Sequence, residues 1–320
     1  MDRAILAMDM GGTQLRFALF DEEYRILDRQ AEPTHPEQGS QRVMDRIVSR
    51  MRTLGEQIGW DRVRAVGVSA PGPLDPFRGV ILQAPNLPGW RDVPVADHLR
   101  QALRCPAFVG NDANLAALAE QRRGAGRGRA DVAYITVSTG IGGGVISGGR
   151  LVLGHHGLAG EVGHITLEPQ GPLCNCGNHG CLEALASGTA IARRAREMVR
   201  AGARTLIDGL AGGDLERITA ELVHEAADRG DVVAVDLFRQ AGRYLGIGIA
   251  TLMYLFNPGM VIVGGSVAKA GHLLLVPMQA ALRERIYPAY WQDCPVVQAA
   301  LGDDVGLIGA ALWARESLEE

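Results

Sequence analysis

The feature that most constrains the fold is a repeat. Apolar segments 4–10 and 15–20 flank the turn Gly11-Gly12-Thr13. About half a chain later, segments 132–137 and 145–147 flank Ser138-Thr139-Gly140-Ile141-Gly142-Gly143-Gly144. Each set reads as strand, glycine turn, antiparallel strand. Glycines in such a turn let backbone N–H groups converge on an anion with no side chain in the way. One turn alone says little, because glycine pairs join ordinary hairpins. Two of them, one per domain, with Asp9 leading into the first and Thr139 inside the second, point to phosphate gripped from both sides of a cleft.

The segments between fill in an α/β chain. Segment 25–30 reads as a third strand, and 41–58 as a helix on the spacing of Val43, Ile47, Met51, Leu54 and Ile58. A short apolar strand at 63–69 ends in the rigid turn Ala70-Pro71-Gly72-Pro73. A helix at 95–103 is followed by a buried strand at 107–109 that stops at Gly110-Asn111-Asp112, and a helix at 115–123 begins with Asn111 or Asp112 near its N-cap. Helices are expected at 183–201, 214–229, 232–256, 271–286 and 305–316, with strands at 260–263 and 295–300.

A second constraint is chemical. Three of the five cysteines fall within eight positions, Cys174, Cys176 and Cys181, with His164 ten residues before the first. Thiolates and an imidazole suit zinc, and four such donors close a tetrahedral site with no position open to water. Gly177 and Gly180 give the backbone freedom to aim three sulfurs at one point. A Cys-x-Cys pair is poorly placed to bond to itself, five is an odd number, and nothing suggests export, so a disulfide is disfavoured. Carboxylates flank the cluster: Glu161 three residues before His164 and Glu183 two after Cys181. A structural metal there would fix two acidic side chains in place, as a substrate rich in hydroxyls requires.

Composition sets the outer limits. The 320 residues suffice for two domains, and a hydrophobic content of 47% with 21% charged residues is ordinary for a globular protein. A net charge of −4 and a pI near 6.1 leave no polyanion footprint, so nucleic acid is not expected as a partner. The longest apolar stretch, 245–256, is too short to span a bilayer. The start runs straight into the apolar segment without a signal region, and reduced cysteines fit the cytoplasm. Lys269 is the only lysine among 32 basic side chains, so neither a Walker loop nor a protein-kinase lysine is present, and any ATP must be held by another design.

Together these residues resemble the ROK family of sugar kinases and repressors, within the actin-like, hexokinase-like ATPase superfamily. The resemblance runs through nearly the whole chain. It rests on residues 9–13, Pro71-Gly72-Pro73, Asn111-Asp112-Ala113-Asn114, 138–144, 161–164, 174–183 and Gly264-Gly265. It implies two actin-like ATPase (ribonuclease H-like) α/β domains flanking a deep cleft. The smaller would span 1–112, completed by the last helix at about 301–320, and the larger 113–300, with the zinc site. By the same resemblance Asp112 is the general base. Asn86, Asn111, Asp112, Glu161, His164 and Glu183 bind sugar. Asp9, Gly11, Gly12, Thr13, Thr139 and Gly140 surround the phosphates of Mg2+-ATP, and Gly264 and Gly265 approach the adenosine.

The implied activity is an ATP-dependent hexose kinase. Segments 158–161 and 182–188 look most like the glucokinase branch, ahead of kinases for fructose, mannose, N-acetylglucosamine or N-acetylmannosamine. Family repressors carry a helix-turn-helix ahead of the first glycine turn. Here Asp9 stands nine residues from the start, so a kinase is expected rather than a DNA-binding regulator. Asp112 and both turns are present, which disfavours a sugar sensor without catalysis. The expected partners are a small-molecule sugar and ATP, with no nucleic acid and no membrane, in a homodimer or homotetramer.

Overall fold

The computed structural model describes residues 3–84 and 87–319, so the expected sugar contact Asn86 lies outside the described residues. The chain forms two compact units of nearly equal length. The first is Met1–Arg127 with Leu151–Gly160 and Ala300–Glu320; the second is Gly128–Arg150 with Glu161–Ala299.

The first unit contains β1 (Ala4–Met10), β2 (Gln14–Phe20), β3 (Ile26–Pro33), α1 (Ser40–Ile58) and β4 (Val63–Ala70). A small antiparallel sheet of β5 (Leu74–Asp75), β6 (Val80–Gln83) and β7 (Arg91–Val93) follows, then α2 (Val95–Leu103), β8 (Ala107–Asn111) and α3 (Asp112–Arg123). The main sheet runs β3-β2-β1-β4-β8, with β1 antiparallel to β2 and parallel to β4. Every residue of β1 is buried because it lies mid-sheet, covered on both faces. Alternation along it separates two cores. Leu6 and Met8 join Val43, Ile47 and Met51 of α1, whereas Ile5 and Ala7 join Leu115 and Leu118 of α3.

The second unit repeats the plan. It contains β9 (Val132–Val137), β10 (Ile141–Ser147) and β11 (Arg150–Leu151). Helices α4 (Leu182–Ala186), α5 (Gly188–Arg200), α6 (Leu206–Ala211), α7 (Ala220–Asp228) and α8 (Val232–Phe256) follow. Then come β12 (Val261–Gly264), α9 (His272–Arg285), α10 (Pro288–Trp291) and β13 (Val296–Gln298). Its sheet runs β11-β10-β9-β12-β13, again with the central strand antiparallel to one neighbour and parallel to the other. The repeat expected from the two glycine turns is therefore a repeat of sheet topology.

The last helix, α11 (Val305–Glu319), packs in the first unit. Small residues bring it very close to the sheet. A Cβ on Gly67 of β4 would lie 1.9 Å from the Ala310 carbonyl oxygen, and one on Gly309 would lie 2.2 Å from that of Leu115. Helix α3 packs on α11 and so goes with the first unit, although a break after residue 112 would place it in the second. Segment 151–160 joins the same unit, with the Ala159 carbonyl accepting from Asn114 Nδ2 at 3.5 Å.

Three other expectations differ from the structure. Residues 141–144 continue strand β10 and leave only Ser138-Thr139-Gly140 as the turn. These glycines serve packing: a Cβ on Gly143 would meet both the Tyr134 carbonyl oxygen and Val162 Cγ2 at 2.6 Å. The helix expected at 183–201 breaks at Ser187, whose hydroxyl caps α5 by accepting from Ala190 N–H. Helix α6 was not expected, because its capping Thr205 follows an arginine- and glycine-containing stretch that reads as loop. No helix among the described residues is long and apolar enough to cross a membrane.

Glu120, near the end of α3, is fully buried. Its Oε1 accepts the N–H groups of Ala300 and Leu301, each at 2.8 Å, and its Oε2 that of Ala125 at 2.8 Å. The chain first leaves this unit after Arg127 and returns for the last time at Ala300, so one carboxylate ties the backbone before the first departure to that after the final return. Replacing it leaves three N–H groups without their acceptor, each bond to a charged group being worth roughly 1.5–3 kcal/mol. Glu120→Ala is expected to lose at least about 3 kcal/mol of stability in urea unfolding, and an unchanged midpoint would refute the role.

Candidate active site

Asn111 ends β8 and caps α3: its Oδ1 accepts from Ala113 N–H at 3.0 Å and Asn114 N–H at 3.1 Å. That leaves Asp112 as the first helical residue, with an exposed carboxylate whose Oδ1 accepts from Ala113 N–H at 2.8 Å. The bond restricts the rotamer of that side chain. In the same unit Asp9 is buried at the end of β1. It accepts from the Ser69 hydroxyl at 2.7 Å and pairs with Arg16, its cross-strand neighbour on β2. Ser69 and Arg16 gave no sequence signal, because register alone brings them to Asp9. Gly306 at the start of α11 closes the site, since a Cβ there would stand 2.5 Å from Asp9 Oδ1. Gly11 and Gly12 are half-buried and Thr13 exposed; the Gly11 carbonyl accepts from the Thr34 hydroxyl at 2.7 Å.

In the second unit the structure brings His164, Cys174, Cys176 and Cys181 together, with their donor atoms all within 4.8 Å of one another. Cys174 Sγ lies 3.7 Å from His164 Nδ1, and Cys176 Sγ lies 3.6 Å from Cys181 Sγ. Tetrahedral zinc with its usual bond lengths needs about 3.6 Å between sulfur and nitrogen and about 3.8 Å between sulfurs, so the donors fit. All five cysteines are free thiols. Gly177 and Gly180 take positive φ, and a Cβ on Gly180 would collide with the Glu168 carbonyl oxygen. His179 turns away, its Nδ1 lying 2.9 Å from the Gly171 carbonyl oxygen. Cys105 and Cys294 are buried elsewhere, and burial pushes each up to about 11.

The cluster is electrostatically crowded. Burial, then the neighbouring Cys176 and Cys174, push Cys181 up to about 12, and burial also raises Cys174. The Asn178 backbone N–H lowers the exposed Cys176. A divalent cation held by the three sulfurs would remove this conflict, because they bind it as thiolates.

Glu161 and Glu183 flank the cluster. Glu161 Oε2 lies 4.0 Å from His164 Nε2. Burial raises its carboxyl above the ordinary value, the His164 imidazole counteracts this, and the Glu183 carboxylate adds to it. Glu183 is held from two sides: Oε2 accepts Ile141 N–H at 2.9 Å, and Oε1 lies 3.7 Å from Cys174 Sγ. Glu183 thus links the cluster to the strand residue that follows the second glycine turn. Thr139 is exposed and Gly140 half-buried at that turn. Gly264 and Gly265 end β12 beside it; Gly265 has φ +93°, and a Cβ there would meet the Val137 carbonyl at 2.3 Å. The contact between Glu183 and the turn was invisible in the sequence, where 42 positions separate the partners.

Residues 5–317 match the ROK family. The chain is 36% identical over 314 residues to a glucokinase of Thermotoga maritima, covering 98% of each. A ROK hexokinase structure from Thermus thermophilus superposes with a TM-score of 0.84 at 39% identity, covering 99% of both chains. A ROK glucokinase from Streptomyces griseus, solved with glucose and AMPPNP, superposes with a TM-score of 0.84 at 40% identity, covering 98% of this chain and 99% of that one. The chain therefore belongs to the ROK family and has its two-domain actin-like ATPase fold.

Proposed function

We propose that the protein is an ATP-dependent hexose kinase, and specifically a glucokinase that converts glucose and ATP to glucose 6-phosphate and ADP. The observation that carries the sugar half is the His164 ring. Its Nδ1 faces the sulfurs, which leaves Nε2 to donate, with the Glu161 acceptor 4.0 Å away. A donor and a carboxylate so fixed match the alternating donors and acceptors of a polyhydroxylated ring. Asn86, Asn111 and Glu183 complete the sugar contacts in this reading.

Phosphoryl transfer asks the protein for in-line positioning and charge neutralisation. Asp112 takes the proton from the sugar hydroxyl as that oxygen bonds to the γ-phosphorus. The bond from the γ-phosphorus to the bridging oxygen breaks, and ADP leaves with the electron pair. Gly11, Gly12, Thr13, Thr139 and Gly140 offer backbone N–H groups and hydroxyls to the phosphates, and Gly264 and Gly265 leave room for the adenosine. Asp9 would hold Mg2+, which supplies charge neutralisation when ATP is bound. Zinc at the four-donor cluster would be structural, because four protein donors fill its tetrahedral shell. The reading places the protein in the cytoplasm as a homodimer or homotetramer. Exposed Leu255 and Phe256 at the end of α8 support an interface there.

A coupled ADP-release assay across glucose, fructose, mannose, N-acetylglucosamine and N-acetylmannosamine should give the highest kcat/KM with glucose. A higher value for an N-acetyl sugar would move the assignment to that sugar. Asp112→Asn removes the proton acceptor but keeps the capped helix, so kcat is expected to fall roughly 10²–10⁴-fold with glucose affinity nearly intact. Activity within a few-fold of wild type would remove Asp112 from the base role. Metal analysis should find one zinc per chain in the wild type and none in Cys176→Ser, which should also melt at a lower temperature. Full zinc retention in that variant would contradict the donor set.

A further inference from the structure

The turn at Ser138-Thr139-Gly140 is not a free loop; it is bonded along its length to the junction of α4 and α5. Gly188 N–H donates to the Ser138 carbonyl at 2.8 Å, and Thr189 N–H to the Thr139 carbonyl at 3.2 Å, with the Thr189 hydroxyl on the same oxygen. Ser266 N–H donates to Ser138 Oγ at 3.1 Å. The one side-chain carboxylate in the set is Glu183, which accepts Ile141 N–H at 2.9 Å. The fit is close enough that a Cβ on Gly140 would stand 2.4 Å from Glu183 Oε2, so a side chain there would displace the carboxylate. Glu183 itself stands two residues after Cys181, which caps α4.

From this geometry we infer that Glu183 is a positioning residue for the nucleotide: it holds the phosphate-binding turn in its binding shape by fixing the Ile141 amide. It thereby joins the sugar and nucleotide halves of the site through one side chain, Oε2 on the turn and Oε1 toward the metal cluster and the sugar. The inference rests on the proposed assignment of the turn to ATP phosphates. A carboxylate and a side-chain amide can both accept the Ile141 N–H, whereas a methyl group cannot. The two replacements therefore separate turn positioning from charge.

The test is calorimetric titration of AMPPNP without sugar into the zinc-loaded protein, with zinc content measured for each variant. Glu183→Ala is expected to bind AMPPNP about tenfold more weakly, the equivalent of one lost bond to a charged acceptor. Glu183→Gln should stay within about threefold of wild type, and both should keep one zinc. Wild-type affinity in Glu183→Ala, or equal losses in both variants, would overturn the inference. If Glu183→Ala loses zinc, Thr189→Val decides: it removes only the hydroxyl bond to the turn, and about threefold weaker AMPPNP binding is expected against no change. In protein labelled with [15N]isoleucine, AMPPNP should shift the Ile141 amide signal. If the wild-type signal stays in place, the turn is not the nucleotide site, and the underlying assignment fails along with the inference.

Discussion

The arrangement depends first on a buried charge. Glu120 has no solvent, and its carboxylate is tolerable only because three backbone N–H groups surround it. Those groups belong to the backbone just before the chain leaves the first unit and just after it returns. The same helix begins with Asn111 as its cap and Asp112 as its first residue. Helix α3 is thus a short rod with the candidate base at one end and, at the other, the tie between the backbone at Ala125 and that at Ala300 and Leu301. Its packing against α11 through Gly309 leaves no space for adjustment.

Much of this was legible because it is periodic or compositional. The 3.6-residue spacing of Val43, Ile47 and Met51 placed α1 within one residue of its true start, and α8 matched its expected span. The four-donor cluster could be read because His164, Cys174, Cys176 and Cys181 lie within eighteen positions, where glycines force the backbone back on itself. What escaped was set by packing or register. The glycines at 142–144 look like a turn, but Val162 and the Tyr134 carbonyl exclude a side chain at Gly143, and the segment is a strand. Arg16 meets Asp9 only because β1 and β2 pair in one register, and Ser69 only through the parallel pairing of β4. No local pattern carries that information. The break at Ser187 was hidden because serine inside an apolar-periodic run reads as helix until its hydroxyl is seen to cap one.

The second unit shows how a metal cluster and a glycine turn become one part. Three thiols share this space, and burial first, then the bonds to Cys176 and Cys174, push Cys181 up to about 12. Glu161 feels the same crowding, raised by burial and by Glu183 and held back by His164. Zinc would reverse the local balance, turning an anion-averse cluster into a fixed point that orients the acids around it.

That reversal bears on which oxygen of Glu183 can serve a sugar. Oε2 is committed to the Ile141 amide, and the turn wraps it too closely for a second partner of any size. Oε1 faces Cys174 Sγ at 3.7 Å, a contact that is attractive only while the thiol keeps its proton. A metal-bound Cys174 is a thiolate and has no proton to donate, so Oε1 loses that partner and needs another donor. A sugar hydroxyl supplies one. Under the proposed function a bound metal would do more than brace the loop: it would remove an internal competitor for the carboxylate oxygen offered to the sugar, while the other oxygen stays on the Ile141 amide.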